Sequence, residues 1–508
     1  MKRFLFIAIP FLFLVGCGTS KNSVAEAAEI IVKIVQINDV YEIAPLNGGE
    51  YGGLARVAHI RDSIKEKFPN TYLFLAGDFL NPSLLGTIKV DGERLQGKQM
   101  IDVLNAMDID LVTFGNHEFD LDEEVLQKRL NESNFKWTSA NAHHISKNGT
   151  APFSKQQNGI KIPVSDYEIF TALGTGNQVL KFGVFGVTLP SNPKDYVYYG
   201  EIYENAERAY TQARQQTDFA VGLTHVALEE DREIAKRLSS LPLIMGGHEH
   251  FNMLKKEGGS IIAKADANAK SVYVHTLVYN LNNKNLFVNS DLVMVTDKTG
   301  SSNKVDPVVN KWNALLESKL KKVIDNPNEV IFHASQPLDG TDDASRSKQT
   351  NLGAIITRSM TNAYHGNVEG ALVNGGSIRI DDTLEGDITS TDIFRVLPFG
   401  GSILQVEVKG SLLKEILNFG NEKGGTGAYL QRHNFSQTAN GDWQIGSVII
   451  EDNKTYSVAF SDFLLKGLDI PFLTPQNPGV IKVYHPNENE IASDIRKAII
   501  LYLKSKHK

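Results

Sequence analysis

Gly115-Asn116-His117-Glu118-Phe119-Asp120 follows directly on the run Ile109-Asp110-Leu111-Val112-Thr113-Phe114. The run is short, apolar and β-branched, so it predicts a buried strand, and Gly115 predicts a sharp turn out of it. Polar residues just past the end of a strand stand where open α/β sheets hold their ligands. There Asn116 offers an amide oxygen to a hard cation, His117 an imidazole for electrostatic or acid work, and Asp120 a carboxylate to orient that ring. The concentration of such groups predicts metal-assisted phosphoryl chemistry.

Working outward, the same pattern recurs. Ile30–Ile37 is a strand-like run ending at Asn38-Asp39, Tyr72–Ala76 ends at Gly77-Asp78, and Phe219–Leu223 ends at Thr224-His225. A further group, Gly246-Gly247-His248-Glu249-His250, follows the apolar stretch Leu241–Met245. Ala55–Lys67 and Gln99–Met107 carry apolar residues at the three-and-four spacing of helices. The alternation predicts an α/β layer structure, with strands at 181–187, 260–264 and 271–277 continuing a sheet to about residue 296. Residues 297–306, rich in Thr, Gly, Ser, Asn and Lys, read as a solvated linker, and Val308–Ile324 as a connecting helix. From Val330 strands and helices alternate again, closing with an amphipathic helix over 492–503.

At 508 residues the chain exceeds one ordinary core, and two folded units fit best. The organisation predicted is a signal peptide over 1–17, a tether over 18–28, a first unit over 29–296, a linker and connecting helix over 297–328, and a second unit over 329–508. A net charge of -7 and scattered Lys and Arg exclude a nucleic-acid polymer as the partner. Lys2-Arg3 precedes an apolar stretch from Phe4 to Val15, as in a secretory signal. Leu14-Val15-Gly16-Cys17 resembles the lipobox of bacterial lipoproteins, which would make Cys17 the lipidated residue of an exported, envelope-anchored protein facing the periplasm or the surface. As Cys17 is the single cysteine, intramolecular disulfides and thiolate metal ligation are excluded.

Paired divalent ions about 3.5–4 Å apart clamp both sides of an in-line attack on phosphorus, and such a site draws oxygen and imidazole ligands from several strand ends. The order Asp39, Gly77-Asp78, Gly115-Asn116-His117-Glu118, Thr224-His225 and His248-Glu249-His250 resembles the calcineurin-like metallophosphoesterases, and within them the two-domain 5'-nucleotidase and UDP-sugar hydrolase family, over roughly residues 30–475. The resemblance implies a four-layer α/β/β/α metallophosphoesterase domain followed by an α/β substrate-binding domain. It implies one metal held by Asp39, Asp78 and His250 and another by Asp78, Asn116, His225 and His248, with Asp78 bridging. His117 with Asp120 would be the catalytic dyad, acting on a phosphoryl group attacked by a metal-held hydroxide, without a covalent phospho-enzyme. Where the family usually has a metal-binding histidine this chain has Tyr41. Tyr41 is either a hard oxygen ligand or a packing residue beside a weaker site, so the two ions expected are zinc, manganese or cobalt, with iron suited to a tyrosine ligand.

In the second half, Arg346 and Asn374-Gly375-Gly376-Ser377-Ile378-Arg379 match the family's substrate-binding motifs. By that resemblance Arg346, Asn374 and Arg379 hold ribose or phosphate groups, and Phe399 and Phe463 stack on a base. Asp469 falls where the family has an acidic residue near base or ribose, although Gly467-Leu468-Asp469 departs from the usual Gly-Gly-Asp. The expected substrate is a nucleoside 5'-monophosphate or related nucleotide, with UDP-sugars or 2',3'-cyclic nucleotides as alternatives, and a non-catalytic nucleotide-binding lipoprotein as the alternative of another class. No obligate protein partner is implied. Metals on one domain and base recognition on the other imply domain closure about the linker.

Overall fold

A computed structural model describes residues 29–191 and 194–506. The expected signal peptide, tether and lipidated Cys17 lie outside the described residues.

Glu29–Ile37 opens the fold as a strand whose alternate side chains are buried near its start and whose last four are all buried, because sheet and helices cover its far end. It pairs in parallel with Thr71–Ala76, which pairs with Leu111–Thr113 and that with Lys136–Thr138. Ser271–Asn280 and Leu286–Met294 extend the other edge antiparallel, completing six strands. A second six-stranded sheet has a parallel centre, Val179–Thr188, Phe219–His225, Leu243–Gly246 and Ser260–Lys264. Ile34, Phe74 and Leu111 from the first sheet pack against Phe182, Val221 and Leu223 from the second. Helices Leu54–Lys65, Lys98–Ala106 and Glu123–Glu132 cover the outer face of the first sheet, and Ile202–Arg214 and Leu228–Arg237 that of the second. This is the expected four-layer α/β/β/α arrangement.

The second half is built on a five-stranded mixed sheet in the order 430–433, 370–374, 455–461, 403–409, 480–484. Period-two alternation divides its faces. Ala371 and Val373 meet helices Asn351–Asn362 and Ile495–Lys506, whereas Leu372 meets helix Gly410–Glu422. The last helix begins at Ile495 rather than 492: Asp494 is extended and accepts the Arg496 N–H at 2.9 Å, with a separate short turn over Ile491–Ser493 before it.

The connection is exposed over most of residues 297–306 but is docked on the first half at a few points. Asp297 and Ser302 donate their amides to the Glu50 and Ala55 carbonyls at 2.9 and 3.0 Å, and Val305 is buried in the first core. Pro307, pre-set for a first helical turn, starts the helix Asp306–Leu320 two residues earlier than the periodicity predicts. Its Val309 and Trp312 belong to the first core and its Leu320 to the second, while Leu316 packs against both.

Candidate metal centre and nucleotide cavity

The parallel strands of the two sheets end at one edge, so the turns after them converge. Asp39, Asp78 and His248 adopt left-handed backbone, with φ of 52°, 55° and 85°. Such strain persists only where the surroundings fix it, and it gathers at functional sites. Here the turns also approach so closely that only glycine fits: a Cβ on Gly115 would lie 2.1 Å from Asp78 Oδ1, and one on Gly247 2.3 Å from the Ala76 carbonyl.

Glu118 ties two of these turns together. Its buried carboxylate accepts amide hydrogens from Gly115, Asp78, Phe79 and Leu80 at 2.6, 2.9, 2.8 and 3.0 Å. Burial, reinforced by the neighbouring Asp78 charge, pushes its carboxyl up to about 7 against the pull of those amides. Sequence reasoning assigned Glu118 no role, although its place in the run beginning at Gly115 was the available signal. Lys264, also missed, does the same for the histidine loop. Fully buried, it donates to the Val226 and Gly247 carbonyls at 2.7 and 2.8 Å and pairs with Asp231 at 2.9 Å and with Glu249.

Within this frame Asp39, Asp78 and His225 present ligand atoms to one point. His225 Nδ1 faces the Ala76 carbonyl at 2.8 Å, so it carries the hydrogen, and Nε2 turns to Asp78 Oδ2 at 3.1 Å and Asp39 Oδ1 at 3.9 Å. A buried lone pair aimed at two carboxylates requires a cation or a proton between them, which the donor set of a divalent metal fits. Burial opposes a charge on His225, but Asp78 and Asp39 outweigh it and push it up to about 9. His250 Nε2 lies 3.4 Å from Asp39 Oδ1 and is pushed up to about 10, against burial, by Asp381 and Asp39. The His248 ring lies 5.6 Å from that of His225, its amide held by Asp39 Oδ2 at 3.0 Å, and burial and His225 lower its pKa. Asn116 is buried at the turn leading into the short helix His117–Asp120.

Tyr41 is inside the site, its Oη 3.4 Å from Asp78 Oδ2 and 3.3 Å from His250 Nε2. Burial, followed by the Asp78 and Asp381 charges, raises its pKa well above that of a free phenol. His117 and Asp120 form the expected dyad, Nδ1 to Oδ2 at 2.8 Å. Although burial works against it, the Asp120 and Asp78 charges raise the His117 pKa well above that of a free imidazole. Asp120 Oδ2 also accepts from Asn81 at 2.7 Å and from Arg379 at 3.2 Å.

Arg379 leads from the dyad into a cavity of about 640 Å³ in the second half. Its lining includes Arg346, Asn374, Arg379, Phe399, Phe463 and Asp469, all six residues expected to bind substrate. Asn374 donates to Asp469 Oδ2 at 2.7 Å, and Arg346 pairs with Asp342. Phe399 is 58% exposed, open for stacking on one side with the Arg94 guanidinium 5.4 Å from its ring centroid. Arg94, from the first half, has no motif around it that the sequence could have shown.

The layered fold and the convergent carboxylates and imidazoles define a metallophosphoesterase centre. Residues 32–252 match the family described as Calcineurin-like phosphoesterase, and residues 330–474 that described as 5'-nucleotidase, C-terminal domain. The chain belongs to the two-domain 5'-nucleotidase family of metal-dependent phosphohydrolases. It is similar to the 5'-nucleotidase of Vibrio cholerae, 25% identical over 534 aligned positions covering 92% of this chain and 91% of that one. It is 26% identical to the trifunctional nucleotide phosphoesterase protein YfkN of Bacillus subtilis, over 80% of this chain and 30% of YfkN, so it spans about a third of that relative. The solved 5'-nucleotidase precursor of Thermus thermophilus shares the fold, with a TM-score of 0.65 and 21% identity over 94% of this chain and 97% of that one.

Proposed function

We propose that the protein is an exported phosphohydrolase that releases phosphate from nucleoside 5'-monophosphates and related nucleotides, held at the cell envelope by a lipid on Cys17. The observation that carries the substrate reading is the junction of two sites. Arg379 lines the cavity with Phe399 and Phe463 and also reaches Asp120, which holds the His117 ring. A nucleotide whose base lies between the two phenylalanines would thus reach the dyad with its phosphate.

Two metal ions, when bound, supply Lewis acidity to the phosphoryl group and to water. Asp39, Asp78 and His250 would hold one, and Asp78, Asn116, His225 and His248 the other. Tyr41 beside the first leaves zinc, manganese, cobalt and iron as the candidates. The remaining work belongs to the protein. His117, held in its orientation by Asp120, would offer an N–H at Nε2 where charge develops on a phosphoryl or leaving oxygen. Arg379 and Arg346 offer forked donors to phosphate or ribose oxygens. The two halves enclose the substrate and shed its water by closing on it.

The test measures phosphate release and nucleotide binding separately. His117→Ala should lower kcat for AMP by roughly 10²–10⁴-fold while calorimetry still records AMP binding. Replacing Phe399 and Phe463 by Ala together should raise KM for AMP far more than for p-nitrophenyl phosphate. Equal effects on the two esters would remove the base-stacking role, and a metal-loaded wild type that releases no phosphate would leave a binding protein.

A further inference from the structure

The first metal position has a phenol where the family has an imidazole, and a second-half carboxylate stands beside it. Ile378 and Ile380 are buried in the second core, and Asp381, at φ 43°, turns out of that core toward the first. The residue is buried at 7% exposure, and Oδ1 accepts the Asp342 N–H at 2.8 Å, leaving Oδ2 to face the other domain.

Asp381 Oδ2 lies 3.5 Å from Tyr41 Oη, 3.5 Å from His250 Nε2 and 3.4 Å from His117 Nε2. His250 Nε2 is in turn 3.3 Å from Tyr41 Oη and 3.4 Å from Asp39 Oδ1. These separations are too long for good hydrogen bonds, which put oxygen atoms about 2.7–2.8 Å apart and N–H···O partners about 2.9–3.0 Å apart. At 3.3–3.5 Å they lie at the upper edge of the spacing of co-ligands of a single cation, because bonds of about 2.1 Å in tetrahedral or octahedral geometry set ligand atoms about 3.0–3.4 Å from one another. The buried Nε2 of His225, 3.1 Å from Asp78 Oδ2, points independently to a cation centre that Asp39 shares with Asp78 and His225.

We infer that Asp381, carried by the substrate-binding half, is a ligand of the metal position formed by Asp39, Asp78 and His250 beside Tyr41, standing in for the histidine replaced at residue 41. The inference rests on the dimetal reading above. A carboxylate restores the ligand that a neutral phenol supplies weakly, and it makes the metal position complete only when the halves are closed. Asp342, 3.9 Å from His117 Nε2, belongs to the same wall but is tied to Arg346.

Metal-free wild type and Asp381→Asn would be titrated with Mn²⁺ by calorimetry, and bound metal counted after gel filtration. Wild type should retain two equivalents. Asp381→Asn should retain one, or bind the second at least ten times more weakly. Two equivalents with unchanged affinities in Asp381→Asn overturn the inference while leaving the dimetal reading intact, whereas no metal in wild type overturns both. An experiment on wild type alone avoids dependence on how the variant folds: hydrogen exchange over residues 375–389 should slow on Mn²⁺ addition to the metal-free protein, and unchanged exchange counts against the ligand.

Discussion

Single residues in this protein are set to their charge states by neighbours that the chain brings from far away. His275 is the clearest case outside the metal centre: fully buried, with Nε2 on Gln36 Oε1 at 2.8 Å and Nδ1 on Ser290 at 2.7 Å, it is pushed down to about 3 by burial. An unfolded histidine titrates near ~6.5. Because the folded value is the lower one, the neutral ring's stabilisation is fully present above about 6.5 and is lost as pH falls toward 3. His275→Gln should therefore lose less stability than wild type between pH 7 and 5 when urea midpoints are compared, and parallel curves would rule out this role. The site was legible in the sequence where a residue's role is announced by what precedes it. Asp39, Asp78, Asn116, His117 and His225 each follow an apolar run, so strand direction alone brings them to one edge. Arg94 and Asp381 were not legible, because their meaning lies in a partner from the other half of the chain.

At the scale of elements, the metal centre is a set of turns held from behind. The turn from Gly246 to His250 rests on Lys264, a residue of the neighbouring strand whose ammonium is enclosed by two carbonyls and two carboxylates. Lys264→Met leaves Asp231 buried without its cation, a change that costs about 3–5 kcal/mol, and it releases the turn that presents His248 and His250. Chemical denaturation should show that loss, accompanied by poorer metal retention. Adding Asp231→Leu should restore part of the stability but not the metal, since it removes the orphaned charge without rebuilding the support. Most strands and helices were readable from periodicity, because burial on one face or both dictates the pattern. The order of strands within each sheet was not, since the pairing of Glu29–Ile37 with Ser271–Asn280 depends on contacts more than 200 residues apart.

For the whole molecule, charges placed across the interface hold the two halves together. Glu42 meets Arg395 at 3.2 Å, with both nearly buried, and Lys270 meets Asp382 at 2.8 Å. Burial raises the Glu42 carboxyl despite Arg395, so this pair is the vulnerable one. Arg395→Met should open the structure by stranding the Glu42 charge, seen as a larger radius of gyration in small-angle scattering, and an unchanged radius would show that other contacts hold the halves together. The helix Asp306–Leu320 sets the limits of any such opening. Since Val309 and Trp312 fill one core and Leu320 the other, neither half has a stability wholly its own. Each core includes part of the same helix, so damage to either half is felt as a loss of folding cooperativity in both.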